Sequence, residues 1–131
     1  MSETELQCIE IDPPGPARAA VIWLHGLGAS GHDFEPIVPY LGLPEQAGVR
    51  FVFPHAPVMP VTVNGGMPMP AWYDIHGMDI PRQQDDAGLR RTARAVAALL
   101  DRERDRGIAG ERLVLAGFSQ GGAMALHVGL R

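Results

Sequence analysis

The sequence predicts an α/β protein with a largely parallel sheet, and three observations carry that expectation. Short apolar runs rich in β-branched residues recur at residues 19–24 (AAVIWL), 49–53 (VRFVF) and 113–116 (LVLA), the pattern of strands covered on both faces. Helical stretches separate them, the clearest from residue 87 to residue 106. Strands that alternate with helices in this way build parallel sheets.

Taken in order, residues 6–11 alternate weakly and read as an edge strand ended by Pro13 and Pro14. Residues 19–24 form a buried strand that runs straight into HGLGASG. A helix is expected around residues 34–41, then a second buried strand at 49–53 stopped by Pro54. Residues 54–77, PHAPVMPVTVNGGMPMPAWYDIHG, read as one long connection rich in proline and glycine, and a loop of that length in a compact domain usually has a function or lines one. Asp85 and Asp86 are candidate caps for a helix that places Leu89, Ala93, Val96 and Leu100 on one face and stops at Gly107, with its arginine-rich side in solvent. Residues 113–116 are the next strand, followed by GFSQGG and the helical run AMALHVGL.

At 131 residues the chain is expected to form one domain, residues 1–131. The formal net charge is −4 and all eleven basic residues are arginine, most of them interleaved with Asp and Glu between Arg82 and Arg112. Charges that alternate in sign along a helix are not a nucleic-acid footprint, so no nucleic-acid partner is expected. Cys8 is the single cysteine, which excludes an internal disulfide and a cysteine-rich metal site and fits a reducing cytoplasm. The first fifteen residues carry acids where a secretory signal would carry bases, and no apolar stretch is long enough to span a membrane. A cytoplasmic location follows as the expectation.

The chemistry sits at Gly117-Phe118-Ser119-Gln120-Gly121, a G-x-S-x-G pattern with an apolar strand entering and a helix leaving. That context is the one a nucleophile elbow requires, with the serine in a strained turn and glycines where strand and helix approach closely. The helix start also directs its N–H groups and positive dipole end at a developing oxyanion. A glycine-rich turn for phosphate is the competing reading, but with no lysine in the chain a Walker site is excluded. His25-Gly26-Leu27-Gly28 follows an earlier strand, the position from which such folds supply the second oxyanion N–H. Leu27 and Gln120 are therefore the candidate backbone donors.

LHGLGASGHDF, FPHAPVMPVTVNGGMPMPAWYDI, QQDDAGLRRTARAV and ERLVLAGFSQGGAMALHVGLR together resemble the phospholipase/carboxylesterase family, which includes carboxylesterases and acyl-protein thioesterases. The resemblance implies an α/β-hydrolase fold with helices on both faces of a mostly parallel sheet. It also implies hydrolysis of carboxylic esters or thioesters of short to medium acyl chains, without metal or organic cofactor, on a small-molecule or acyl-protein substrate. By the same likeness Ser119 is the nucleophile, Leu27 and Gln120 form the oxyanion hole, and Met59, Met67, Met69 and Trp72 resemble an apolar wall for the acyl chain. For those four side chains ordinary packing under a long loop fits equally well.

The triad order of this fold is Ser, then Asp or Glu, then His, yet residues 120–131 contain no carboxylate. His127 lies eight positions beyond Ser119 on the same helix, a rise of about 12 Å that keeps it from the serine. His25, His32, His55 and His76 lie in loops and read first as structural, with His55 or His76 as base the alternative. The chain is accordingly expected to be the amino-terminal portion of a longer hydrolase, truncated after the elbow helix and close to inactive alone. Its exposed strand edge at 113–116 invites self-association. The other reading is a truncated product that binds acyl ligands or a partner without turnover.

Overall fold

The structure, a computed structural model, describes residues 6–75 and 85–129. Four strands form one sheet in the order β1 (Cys8–Ile11), β3 (Val49–Pro54), β2 (Ala19–Leu24), β6 (Leu113–Gly117). β2 pairs in parallel with both β3 and β6, and β1 joins the far side of β3 antiparallel. Among the described residues β6 is thus an edge of this sheet, with Val114 exposed on it.

Side chains opposite each other in a parallel register share a face. Ala20, Ile22 and Leu24 therefore stand with Val52, Leu113 and Leu115. Both α-helices, α1 (Asp86–Asp105) and α2 (Gln120–Gly129), cover that side: Val96, Leu99 and Met124 pack on Ile22, Leu24 and Val52 in the main core. Each such fully buried side chain contributes roughly 1.5–3 kcal/mol. β2 itself alternates between fully buried and half-buried positions, so the expectation of a strand enclosed on both faces is corrected.

The second face carries Trp23, Phe51 and Phe53. It is covered by 3-10 turns at Gly31–Asp33 and Glu35–Leu41 instead of the α-helix expected at 34–41. Pro39 lies inside the second turn and offers no N–H to an i−4 carbonyl, which is the reason an α-helix does not form.

Residues 54–77 are not one irregular loop. β4 (Val58–Val61) and β5 (Met67–Pro70) form an antiparallel hairpin. Pro60 faces Pro68 and Pro70 faces Val58, so all three prolines fall on alternate pairs that exchange no hydrogen bonds, leaving Met59 with Met69 and Val61 with Met67 to carry the ladder. Gly65 and Gly66, at φ 67° and 78°, close the turn.

α1 begins where the Asp85 carboxylate accepts the Gly88 N–H at 3.0 Å and ends at Gly107, φ 97°. Its buried stripe is Gly88, Thr92, Ala95, Val96, Leu99 and Glu103. The predicted Leu89, Ala93 and Leu100 lie at its margin, partly buried against the core. The arginine side is not wholly solvated either: Arg102 and Arg106 turn to Glu10 on β1, at 3.0 and 2.7 Å. Among the described residues no helix is long and apolar enough to cross a membrane.

Candidate active site

β6 delivers the chain into a turn at Phe118 and Ser119, and α2 leaves at Gln120. Ser119 has φ 57°, the only non-glycine residue with positive φ among those described, and its side chain is exposed. The conformation costs an L-residue roughly 1–2 kcal/mol and is held by its surroundings. Phe118 N–H donates to Leu24 C=O at 3.0 Å, and Ala123 N–H to Ser119 C=O at 3.0 Å. The flanking glycines are required sterically: a Cβ on Gly117 would strike the backbone of Gly121 and Gly122, and one on Gly121 the carbonyl oxygens of Leu24 and His25.

The loop after β2 packs against this turn. A Cβ on Gly26 would lie 3.4 Å from the Ser119 Cβ and 3.4 Å from the Phe118 carbonyl oxygen. Gly26 thus stands beside the serine, with Leu27 the next residue after it and Gln120 the next after the serine. The Gly26–Leu27 peptide is fixed through its carbonyl, which accepts from His25 Nδ1 at 2.7 Å and from Ala29 N–H at 3.2 Å. Gly28, φ 75°, donates its N–H to Pro70 C=O at 2.9 Å.

His25 is buried and engaged at both ring nitrogens. Ala56 N–H donates to Nε2 at 3.0 Å, which makes Nδ1 the protonated nitrogen. Burial pushes its pKa down, so the ring stays neutral. It braces the loop and does not face the serine as a base. His55 accepts the Gly31 N–H at Nδ1, 3.2 Å, and His32 pairs with Glu35 at 3.1 Å. His127 is on α2, and His76 lies outside the described residues. Among the described residues no group of three or more His, Cys, Asp or Glu side chains is disposed to hold a metal ion.

Sequence reasoning treated Gln120 only as a backbone donor. Its side chain is buried and makes two bonds: Oε1 accepts Trp72 N–H and Nε2 donates to Tyr73 C=O, both at 2.8 Å. Its partners are nearly fifty positions away, so nothing local in the sequence signals them. Trp72 is wholly enclosed, its indole N–H donating to His25 C=O at 2.7 Å and its ring 5.0 Å from that of His25. Its enclosure matches the packing alternative given for it above. Met69 is half-buried with its sulfur beside Gly28, Met59 faces it across the hairpin, and Met67 is exposed near the turn. Of the three methionines, Met69 therefore lies against the loop that carries Leu27. On the open side, Phe118 packs on Phe34 at 5.7 Å and Phe34 stacks on Trp23 at 5.1 Å, an aromatic row that starts next to Ser119.

A parallel sheet whose strand enters a strained serine turn at a helix start is the architecture of the α/β-hydrolases. The solved structure of Zea mays acyl-protein thioesterase 2 superposes with a TM-score of 0.79 at 34% identity, covering 93% of this chain and 50% of that one. Residues 6–131 match the Phospholipase/Carboxylesterase family, and the chain belongs to it. Acyl-protein thioesterase 1 of Cryptococcus neoformans is 41% identical over 126 residues, 94% of this chain and 52% of that protein. Its namesake from Neurospora crassa is 42% identical over 125 residues, 89% of this chain and 51% of that protein. The chain spans about half the length of the curated relatives it matches.

Proposed function

We propose that this chain is the nucleophile-bearing half of a serine hydrolase that cleaves carboxylic esters or thioesters through an acyl-enzyme on Ser119. The observation that carries the proposal is the exposed Ser119 at φ 57°, between β6 and α2, with Gly26 packed 3.4 Å from its Cβ. In this reading the Leu27 and Gln120 N–H groups stabilise the tetrahedral oxyanion, and α2 adds the positive end of its dipole. The names of the relatives support acyl thioesters on proteins as one substrate class.

His25, His32 and His55 are each engaged elsewhere by a hydrogen bond. By the triad order of the fold we assign the base and its carboxylate partner to the share of the relatives' length that this chain does not span. Without them only about 10³- to 10⁴-fold acceleration over water remains, so residues 1–131 alone are expected to be nearly inactive, with acyl-ligand or partner binding without turnover as the alternative. The reading also keeps the protein in the cytoplasm.

The test is labelling by a fluorophosphonate in the full-length protein, meaning this chain continued to the length of its relatives. Labelling is expected at Ser119 and abolished in Ser119→Ala. Persistent labelling of the variant sinks the assignment.

A further inference from the structure

We infer that residues 70–73 are a yoke that sets the spacing of the two oxyanion donors, acting on the elbow through the side chain of Gln120, which is a positioning residue. The inference rests on the functional reading above and deepens it.

The two donors belong to different parts of the chain. Leu27 follows β2, and Gln120 opens α2. Catalysis needs both N–H groups about 2.7–3.1 Å from one developing oxygen, so their separation has to be held by something that touches both. Residues 70–73 do so. On the Leu27 side they grip the loop at two points: Pro70 C=O takes the Gly28 N–H at 2.9 Å, and the Trp72 indole N–H binds His25 C=O at 2.7 Å. On the elbow side, Trp72 N–H and Tyr73 C=O are both satisfied by the Gln120 amide at 2.8 Å. The yoke is in turn anchored, since Thr92 Oγ1 on α1 donates to Trp72 C=O and Ala71 N–H to Pro57 C=O at 3.0 Å.

The chemistry at position 120 is specific. One bond needs an acceptor and the other a donor, which a carboxamide supplies together. Glutamate would turn an acceptor toward Tyr73 C=O, and methionine would leave both backbone groups unpaired in a buried setting. Loss of the yoke then appears as misplacement of the amide belonging to the same residue.

The experiment uses the full-length protein with Gln120→Met, Gln120→Glu and Trp72→Phe. A displacement of about 1 Å costs on the order of 100-fold, so kcat is expected to fall about 10- to 100-fold in the Gln120 variants with KM little changed. Affinity for a boronic acid transition-state analogue should fall by the same factor. Trp72→Phe removes the indole bond to His25 and part of the buried ring volume while keeping both Gln120 bonds, and should fall between these and the unaltered protein. A lowered melting temperature with kcat and analogue affinity unchanged overturns the inference and leaves Gln120 merely structural. If Gln120→Met does not fold, Trp72→Phe decides by the same readouts. Ser119→Ala is run alongside: if it keeps its labelling, the functional reading fails and the yoke with it, whereas labelling confined to Ser119 with unchanged analogue affinity removes the yoke alone.

Discussion

Glu103 on α1 and Arg50 on β3 meet at 2.7 Å across 53 positions of sequence, with the Glu103 carboxylate wholly buried. Arg106 approaches its second oxygen at 3.1 Å, and Asp12 holds the far side of the Arg50 guanidinium at 2.7 Å. Breaking a buried pair from one side costs roughly 3–5 kcal/mol where it strands the opposite charge, and Asp12, which still holds Arg50, puts this pair at the lower end of that range. Glu103→Ala is expected to lose about 3 kcal/mol in equilibrium urea unfolding, with Ser119 still in its turn. A change below ~1 kcal/mol, the range of exposed pairs, would show that water screens the cluster.

Backbone strain at Ser119 has a thermodynamic signature. Glycine adopts φ 57° without steric cost. Ser119→Gly is therefore expected to raise stability by about 1 kcal/mol while removing the proposed nucleophile. Ser119→Ala should show no such gain, because alanine keeps the Cβ. Calorimetry on the two variants makes the comparison, and equal melting temperatures would mean that the turn is not strained.

The glycines around the serine separate by severity. Gly121→Ala drives a methyl group into the carbonyls of Leu24 and His25, backbone atoms that cannot step aside. It should lose fluorophosphonate labelling of the full-length protein along with stability. Gly26→Ala meets its nearest atoms at 3.4 Å and should fold, with labelling slowed by crowding next to Ser119. A fully labelled Gly121→Ala would contradict the close approach of α2 and β2.

Acid should weaken the fold in two stages. Burial holds the His25 pKa below its ordinary 6.5, so unfolding takes up a proton and stability declines as pH falls from 6.5 toward the depressed value. The Arg106 hydrogen bond holds Glu10 below its ordinary 4.5, so its contribution is complete above that pH and is lost as pH falls through the lower folded value. Urea unfolding across pH 3–8 checks the shape. Arg106→Ala should flatten the limb below 4.5 and leave the upper one intact.

β6 is paired only with β2 among the described residues, and Val114 stands 53% exposed on it. The 131-residue chain is expected to self-associate through that edge. Sedimentation should show the association falling in Val114→Lys. Unchanged sedimentation of the variant would redirect attention to the exposed Tyr40 and Leu43.

What could be seen in the sequence was whatever depends on near neighbours. The three parallel strands, the Asp85 cap, the Gly107 stop and the serine turn each follow from a few consecutive residues. The hairpin β4–β5 was hidden because prolines argue against strands, although Asn64-Gly65-Gly66 was there as a turn signal. Whether Pro60 and Pro68 fall on bonding or non-bonding pairs depends on register, which composition does not contain. The helical stripe was off by about one position because Thr92 and Glu103 are polar residues buried by partners elsewhere, Trp72 and Arg50. The Gln120 side chain was missed for the same reason: its partners come from another part of the chain.

The aromatic row beside the serine has an optical consequence. The chain holds two indoles, and only Trp23 belongs to the row, reaching Phe118 through Phe34. In Trp72→Phe it becomes the sole indole emitter, two ring contacts from Phe118, the residue before Ser119. A group joined to Ser119 is expected to crowd the adjacent Phe118 and, through Phe34, to alter the surroundings of Trp23. On the proposed function, acylation of Ser119 and its reversal are then expected to give a stopped-flow signal without a chromogenic substrate.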